Sequence, residues 1–534
     1  MQSKKQPTIH LFKNIYPLCC KIISGNKLQR LIDRCGSPDL FVTALSESAA
    51  DLQLPEYLPE LARIEAYASA LRAENSPMPE YSERLGINPT LQLFENTWQN
   101  LYLLLDENAE PIEPVRGKES IIVWKNPADG NIRAKPVTSE DLLVLKMALE
   151  NLSEREVANQ GGVSLAAIAV AVVRTLNAGI VTGPTPEIRR NYHATKFKEI
   201  GQSFLSARVF SLQWHITQAC DLHCRHCYDR SQYKSLSFEQ EKGVLEDLAG
   251  FCTSRNVHGQ VTFSGGNPFL HPHFEELYKE ASDHGFSIAI LGNPASRGQV
   301  ERLKAIQPPA FYQVSLEGLE SHNDYMRGKG HFQRVLDFLE MLRELKVYSM
   351  VMLTLTQANM NQVLPLASVL RTRVDLFTFN RLSMVGEGAS LAPVDYREFP
   401  VFLEEYAAAV ESNPCLGLKE NLLNIIYDKE KKPIFGGCTG HGCGAAFNFM
   451  ALLADGTVHA CRKFPSPLGN IRDHSLDTVY NSAAAEKYRQ GAAECRDCRL
   501  NPVCRGCLAV SYSHGYDIYR QKDPYCFLQS AEQA

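Results

Sequence analysis

Cysteine placement is the chemical signal in this 534-residue chain. Of its sixteen cysteines, three stand together in HITQACDLHCRHCYDR, as Cys220, Cys224 and Cys227, and eight more lie between Cys438 and Cys526. In a chain expected to work in the cytoplasm, where thiols are kept reduced, such clusters point to metal or redox chemistry rather than to disulfides. Three thiolates in a C-x3-C-x2-C loop can be completed as a zinc site by His223 or His226. Alternatively they hold a cubane iron-sulfur cluster with one iron left open to a small molecule. The tail carries Cys438, Cys443 and Cys461, then Cys495, Cys498, Cys504 and Cys507 in CRDCRLNPVCRGC, and last Cys526. Eight thiolates make two full sets of four, which suit two iron-sulfur clusters or two structural zinc ions. Cys19, Cys20, Cys35, Cys252 and Cys415 lack ligand spacing and are expected to be small buried hydrophobes.

Over about residues 208 to 530 these motifs resemble the radical S-adenosylmethionine (SAM) superfamily. The resemblance implies that Cys220, Cys224 and Cys227 hold a 4Fe-4S cluster whose open iron is chelated by SAM. Reductive cleavage then yields a 5′-deoxyadenosyl radical that takes hydrogen from an unactivated carbon. SGGNP, at Ser264 to Pro268, is similar to the family's Gly-Gly-Glu-Pro loop, with Asn267 in place of Glu, and implies that the Gly266 backbone meets the methionine part of SAM. VSLEGLESHNDYMRG resembles the Ser-x-Asp-Gly…Arg stretch and implies SAM contacts from Ser315 and Arg327. A guanidinium fork suits a carboxylate bidentately. His226 and Leu382 complete the implied cofactor-binding set.

The tail resembles the SPASM domain of peptide-modifying maturases. The resemblance implies one auxiliary 4Fe-4S cluster on Cys438, Cys443, Cys461 and Cys507 and another on Cys495, Cys498, Cys504 and Cys526, three clusters in all. Cys504 and Cys507 are one residue closer than in the usual pattern, so the pairing of the last ligands stays open. In related enzymes that make formylglycine, an aspartate base follows the third cysteine of the first auxiliary set. Arg462 stands there in this chain, and a guanidinium cannot serve as a base at neutral pH. No catalytic residue is assigned beyond the SAM cluster.

The elements that must position these residues are legible as a strand-helix alternation. LQWHIT, QVTFSG, SIAILGN, YQVSL, YSMVMLTL and DLFTFN read as six strands between about Ser211 and Asn380, separated by helical patterns. This predicts a parallel α/β sheet, open or curled, with ligands at the carboxyl ends of its strands. The fold class expected is a partial (β/α)6 barrel with a mainly helical and winged-helix-like N-terminal region and a small iron-sulfur-stapled C-terminal domain. Boundaries are expected at 1–115 (mostly helical), 116–205 (winged-helix-like peptide-recognition module), 206–390 (barrel), 391–435 (helical linker) and 436–534 (SPASM domain). Leu54, Leu58, Leu61, Ile64, Tyr67 and Leu71 repeat at helical spacing. IIVWKNPADGNIRAKPV reads as a hairpin, followed by helices beginning near Ser139, Ser153 and Ser164. The tail shows no large apolar core, so metal is expected to hold it together.

A net charge of −5 gives no general pull towards nucleic acid. No apolar run reaches the roughly twenty residues of a membrane span, and Ile15 to Ile23 is too short and too broken for a signal peptide, which leads to the cytoplasmic expectation. The resemblance implies an oxidoreductase that modifies a ribosomally made precursor peptide with a leader segment, the leading product being a thioether cross-link. A ferredoxin or flavodoxin would serve as electron donor. The long N-terminal extension is similar to that of selenobiotic-type peptide maturases. A whole-protein maturase of the formylglycine type is the alternative enzyme. A noncatalytic iron-sulfur scaffold and a redox-sensing DNA-binding regulator are the readings from other classes.

Overall fold

A computed structural model describes residues 6–74, 81–105, 112–190, 202–231 and 234–528. The chain divides into two compact units: 1–157 with 171–185, and 158–170 with 186–534. Among the described residues no helix is long and apolar enough to cross a membrane.

In the first unit, helices Gln6–Ile15, Pro17–Ile22, Gly25–Cys35, Phe41–Ser48 and Leu58–Ala73 bury Phe12, Leu31, Phe41, Leu45, Leu58, Leu61 and Ile64 in one core. Strands β1 (Gly86–Ile87), β2 (Gln92–Gln99), β3 (Val115–Lys125), β4 (Ile132–Pro136) and β5 (Val181–Thr182) follow. The expected hairpin is β3–β4, closed where the Asn126 N–H donates to Asn131 O at 2.8 Å and Gly130 adopts φ +71°. It is not free-standing: β2 pairs with the other edge of β3, and Phe94, Ile121 and Val123 join the core of the preceding helices. A boundary at residue 115 would therefore cut a shared core. β2 was missed because QLFENTWQ mixes charge into the run and pairs mainly through its backbone. The first of the three later helices, Ser139–Glu150, is capped by Thr138 rather than Ser139. The reason is that Asp141, three residues beyond Thr138, closes a capping box. Residues 191–201 of the expected recognition module lie outside the described residues.

The second unit is built on the six expected strands: β6 (Val209–Thr217), β7 (His258–Gly265), β8 (Ser287–Leu291), β9 (Phe311–Ser315), β10 (Ser349–Leu355) and β11 (Leu376–Arg381). Each is parallel to its sequence neighbour, with helices in the crossovers. Leu212, Trp214, Val261, Phe263, Val351 and Leu353 are fully buried, which fits strands covered on both faces. The expected linker contains helices Phe399–Ser412 and Leu423–Lys429.

The tail corrects one expectation. Strand β12 (Phe449–Leu452) adds in parallel to the far edge of β6, and β13 (Thr457–His459) and β14 (Pro467–Asn470) continue it, giving the order β11-β10-β9-β8-β7-β6-β12-β13-β14. Phe447, Met450, Leu452 and Val458 are fully buried in the barrel's own core. The tail therefore shares an apolar core instead of depending on metal alone.

Candidate active site

The three-cysteine loop leaves the carboxyl end of β6, where ligands of open parallel sheets bind. Cys220 is exposed and Cys224 and Cys227 half-buried. Polar groups converge on the sulfurs: the Leu222 N–H lies 3.4 Å from Cys220 Sγ, Asn293 Nδ2 3.7 Å from the same atom, and Arg327 Nη1 3.6 Å from Cys224 Sγ. Burial nevertheless outweighs the Arg327 charge and raises the Cys224 thiol, so a bound metal must draw it into thiolate form.

The SGGNP loop closes against this segment through its backbone. The Gly266 N–H donates to Thr217 O at 2.8 Å and the Asn267 N–H to Ala219 O at 2.7 Å. A Cβ on Gly266 would lie 2.2 Å from Ala219 O, so no other residue fits without moving the loop. Asn267 has a reason to replace Glu: its Nδ2 donates to Asp221 Oδ1 at 2.9 Å, and Asn293 Nδ2 donates to the same atom at 2.5 Å. Burial alone would raise the Asp221 carboxyl, but the two amides outweigh it and hold it below its ordinary value. A glutamate at 267 would set two carboxylates against each other. Asp221 and Asn293 were missed by sequence reasoning; the acid inside the CDLHC run was the available signal.

Ser315 and Arg327 end consecutive elements, β9 and the helix Glu320–Arg327. Ser315 ends β9 half-buried. The Arg327 fork is turned inward: Nε and Nη2 donate to Glu317 Oε1 at 3.0 and 2.6 Å. The bidentate face expected for the SAM carboxylate thus meets a carboxylate of the chain itself. Glu317 is fully buried, stands 3.2 Å from His226 Nε2 and accepts from the Thr354 N–H at 2.8 Å. Burial raises its carboxyl, yet His226 and Arg327 outweigh that and hold it far below the carboxylate range. Glu317 was overlooked although VSLEG places an acid at the end of an apolar strand. His226 Nδ1 is buried without a partner, an orphaned polar atom beside the cysteine loop that a bound cofactor could satisfy. Leu382 is buried after β11, and its side chain lies against Gly388.

The eight tail cysteines gather as two sets. Cys461 lies within electrostatic reach of Cys443 and Cys507, and Lys463 reaches Cys438, Cys461 and Cys507 together. Cys495, Cys498, Cys504 and Cys526 line one cavity. All sixteen cysteines are unbridged. Burial pushes Cys461 and Cys495 up to about 12, so a metal must draw these thiols into thiolate form. Among the described residues no three His, Cys, Asp or Glu side chains close around a single ion. Lys419 Nζ lies 3.6 Å from Cys438 Sγ.

Both sets are tied to the barrel by Asp523. It receives Arg381 through two nitrogens at 2.8 and 2.7 Å and the Cys507 N–H at 2.7 Å, and its carbonyl accepts from the Cys526 N–H at 2.9 Å. Arg381, at the end of β11, also donates to Glu420 at 3.0 Å. Of the scattered cysteines, Cys19, Cys35, Cys252 and Cys415 are buried and Cys20 half-buried.

Comparisons with known proteins fall on the same segments. The radical SAM superfamily pattern matches residues 214–369, and an iron-sulfur cluster-binding domain, SPASM, matches residues 443–508. Fe-coproporphyrin III synthase of Methanosarcina barkeri is 25% identical over 363 residues, covering 60% of this chain and 88% of that protein. The subtilosin biosynthesis protein AlbA of Bacillus subtilis is 24% identical over 315 residues, covering 55% and 66%. The crystal structure of Streptococcus suis SuiB is similar in fold, with TM-score 0.50 and 15% identity over 77% of this chain and 97% of SuiB.

Proposed function

We propose that this chain, whose residues 214–369 match the radical SAM superfamily and 443–508 the SPASM domain, is a radical SAM enzyme that oxidatively modifies a ribosomally made precursor peptide by thioether cross-linking. The observation that carries this reading is the meeting, in one unit, of a three-thiol loop at the mouth of a parallel sheet with two four-thiol sets. When bound at Cys220, Cys224 and Cys227, SAM and a 4Fe-4S cluster would supply a 5′-deoxyadenosyl radical for hydrogen abstraction. Gly266 would offer its backbone to the cofactor, and His226, Ser315 and Leu382 would line it. Arg327, locked by Glu317, holds positive charge against Cys224. The tail sets would carry two auxiliary 4Fe-4S clusters, with a ferredoxin or flavodoxin as electron donor.

Support for a peptide comes from AlbA, a bacteriocin biosynthesis protein, and from SuiB, whose structure has been solved with its precursor peptide SuiA. The cross-link removes one C–H and one S–H hydrogen and forms a C–S bond, a two-electron oxidation. Fully ligated auxiliary clusters suit passing such electrons on. A second reading, action on an iron-tetrapyrrole, is favoured by the likeness to Fe-coproporphyrin III synthase.

The deciding experiment incubates anaerobically reconstituted enzyme, SAM and reductant with a short Cys-rich peptide encoded beside its gene. The expected result is 5′-deoxyadenosine together with a peptide lighter by two hydrogens and poorer by one free thiol. 5′-Deoxyadenosine with an unchanged peptide, and a changed Fe-coproporphyrin in the parallel reaction, would favour the second reading. No 5′-deoxyadenosine at all would overturn both.

A further inference from the structure

Several arginines of the second unit are matched by carboxylates: Arg327 by Glu317, Arg381 by Glu420 and Asp523, Arg255 by Asp477, and Arg489 by Glu486. Arg462 differs. Its partners among the described residues are neutral: Nη1 donates to Ser264 Oγ at 2.9 Å, and the guanidinium lies over the Tyr228 ring at 4.3 Å. Asp229, next to Tyr228, is engaged by Gln218 Nε2 at 3.3 Å and the Ser231 N–H at 2.9 Å. His215, whose Nε2 lies 3.1 Å from the Tyr228 hydroxyl, is fully buried and brings no negative charge.

The location gives this cation a purpose. Ser264 is the last residue but one of β7, immediately before Gly265 and Gly266; Tyr228 follows Cys227, and Arg462 follows Cys461. Arg462 therefore bridges the cysteine loop, the glycine loop and one auxiliary set. A guanidinium has five donors in a fixed fork, and a half-buried one paired among the described residues with Ser264 and Tyr228 keeps donors for an incoming carboxylate.

We propose that Arg462 is the specificity-determining residue of this site and receives an acidic side chain of the peptide, next to the residue that is modified. The proposal rests on the peptide reading above and narrows it to substrates with Asp or Glu beside the reacting position. The same residue that removes a carboxylate base from this position turns the position into a carboxylate receptor.

The test uses reconstituted holoenzyme with SAM and two pools of synthetic dodecapeptides, one carrying Asp and Glu where the other carries Asn and Gln. Retained peptide is measured by size exclusion and mass spectrometry. Wild type is expected to retain the acidic pool about tenfold to a hundredfold better, the range for hydrogen bonds to charged groups. Arg462→Gln should lose that preference and Arg462→Lys keep part of it. Iron-sulfur absorbance of each variant confirms that the auxiliary set is loaded. A purely structural Arg462 would change both pools alike, so selectivity is the informative readout. Equal retention of both pools by wild type, retention of neither, or a preference that survives in Arg462→Gln overturns the proposal. SAM cleavage to 5′-deoxyadenosine by the same preparation without peptide tests the radical SAM reading independently.

Discussion

Glu317→Gln is the sharpest probe of the site's electrostatics. It keeps the shape of the side chain and removes the charge that Arg327 and His226 face. The Glu317 side chain is 1% exposed and that of Arg327 11%, so water cannot replace the lost partner. Breaking a buried pair by removing one member costs about 3–5 kcal/mol, because the other charge is left uncompensated. The assay is urea unfolding in a Trp98→Phe, Trp124→Phe background, in which Trp214, buried between β6 neighbours, alone reports on the sheet. The sign with pH follows from the depressed carboxyl. Its contribution is fully present above the unfolded value of about 4.3 and is lost as pH falls from there towards the folded value. The gap between wild type and variant should therefore narrow as pH falls below about 4.3. Adding Arg327→Met to Glu317→Gln should restore part of the loss, since apolar replacement of a buried pair is often neutral. A loss under about 1 kcal/mol at pH 7, the scale of an exposed pair, or a gap that widens below about pH 4.3, would refute the reasoning.

Asn267→Glu sets a carboxylate against Asp221, 2.9 Å from the present amide; a loss of about 2 kcal/mol or more and weakened SAM binding are expected, read by urea unfolding and calorimetry. Gly266→Ala, with its Cβ 2.2 Å from Ala219 O, should displace the loop and abolish 5′-deoxyadenosine formation while leaving the auxiliary iron in place. Cys461→Ala and Cys504→Ala should each remove roughly four irons per chain, and the double variant roughly eight; identical iron loss from all three would contradict two separate sets. Asp523→Asn weakens the tie from Arg381 to the Cys507 N–H and should broaden the low-temperature EPR signals of both auxiliary clusters while sparing the SAM-site signal.

The six parallel strands and the grouping of cysteines were legible because their information is local. A strand buried on both faces is an apolar run wherever it lies, and a thiol cluster is marked by spacing that a metal imposes. The conformational detail was less so. β2 and β12 are short or polar segments whose strand character comes from a partner distant in sequence, Ile121–Val123 for β2 and Ser211–Trp214 for β12. The Thr138 cap turned on one residue of register, which a hydroxyl three positions before an acid could have settled in advance.

For the site, the residue types were legible: three thiols in one loop, eight more in the tail, a glycine pair, and an arginine after Cys461. Tertiary structure decided which charges those residues face. Arg327 is answered by Glu317 and Asn267 by Asp221, while Arg462 meets, among the described residues, Ser264 and Tyr228. Charge pairing is a matter of a few ångströms between chain segments far apart in sequence, and its strength depends on how much water is excluded. Residue spacing records neither quantity, so the sequence could name the groups but only packing could say which of them were left unanswered.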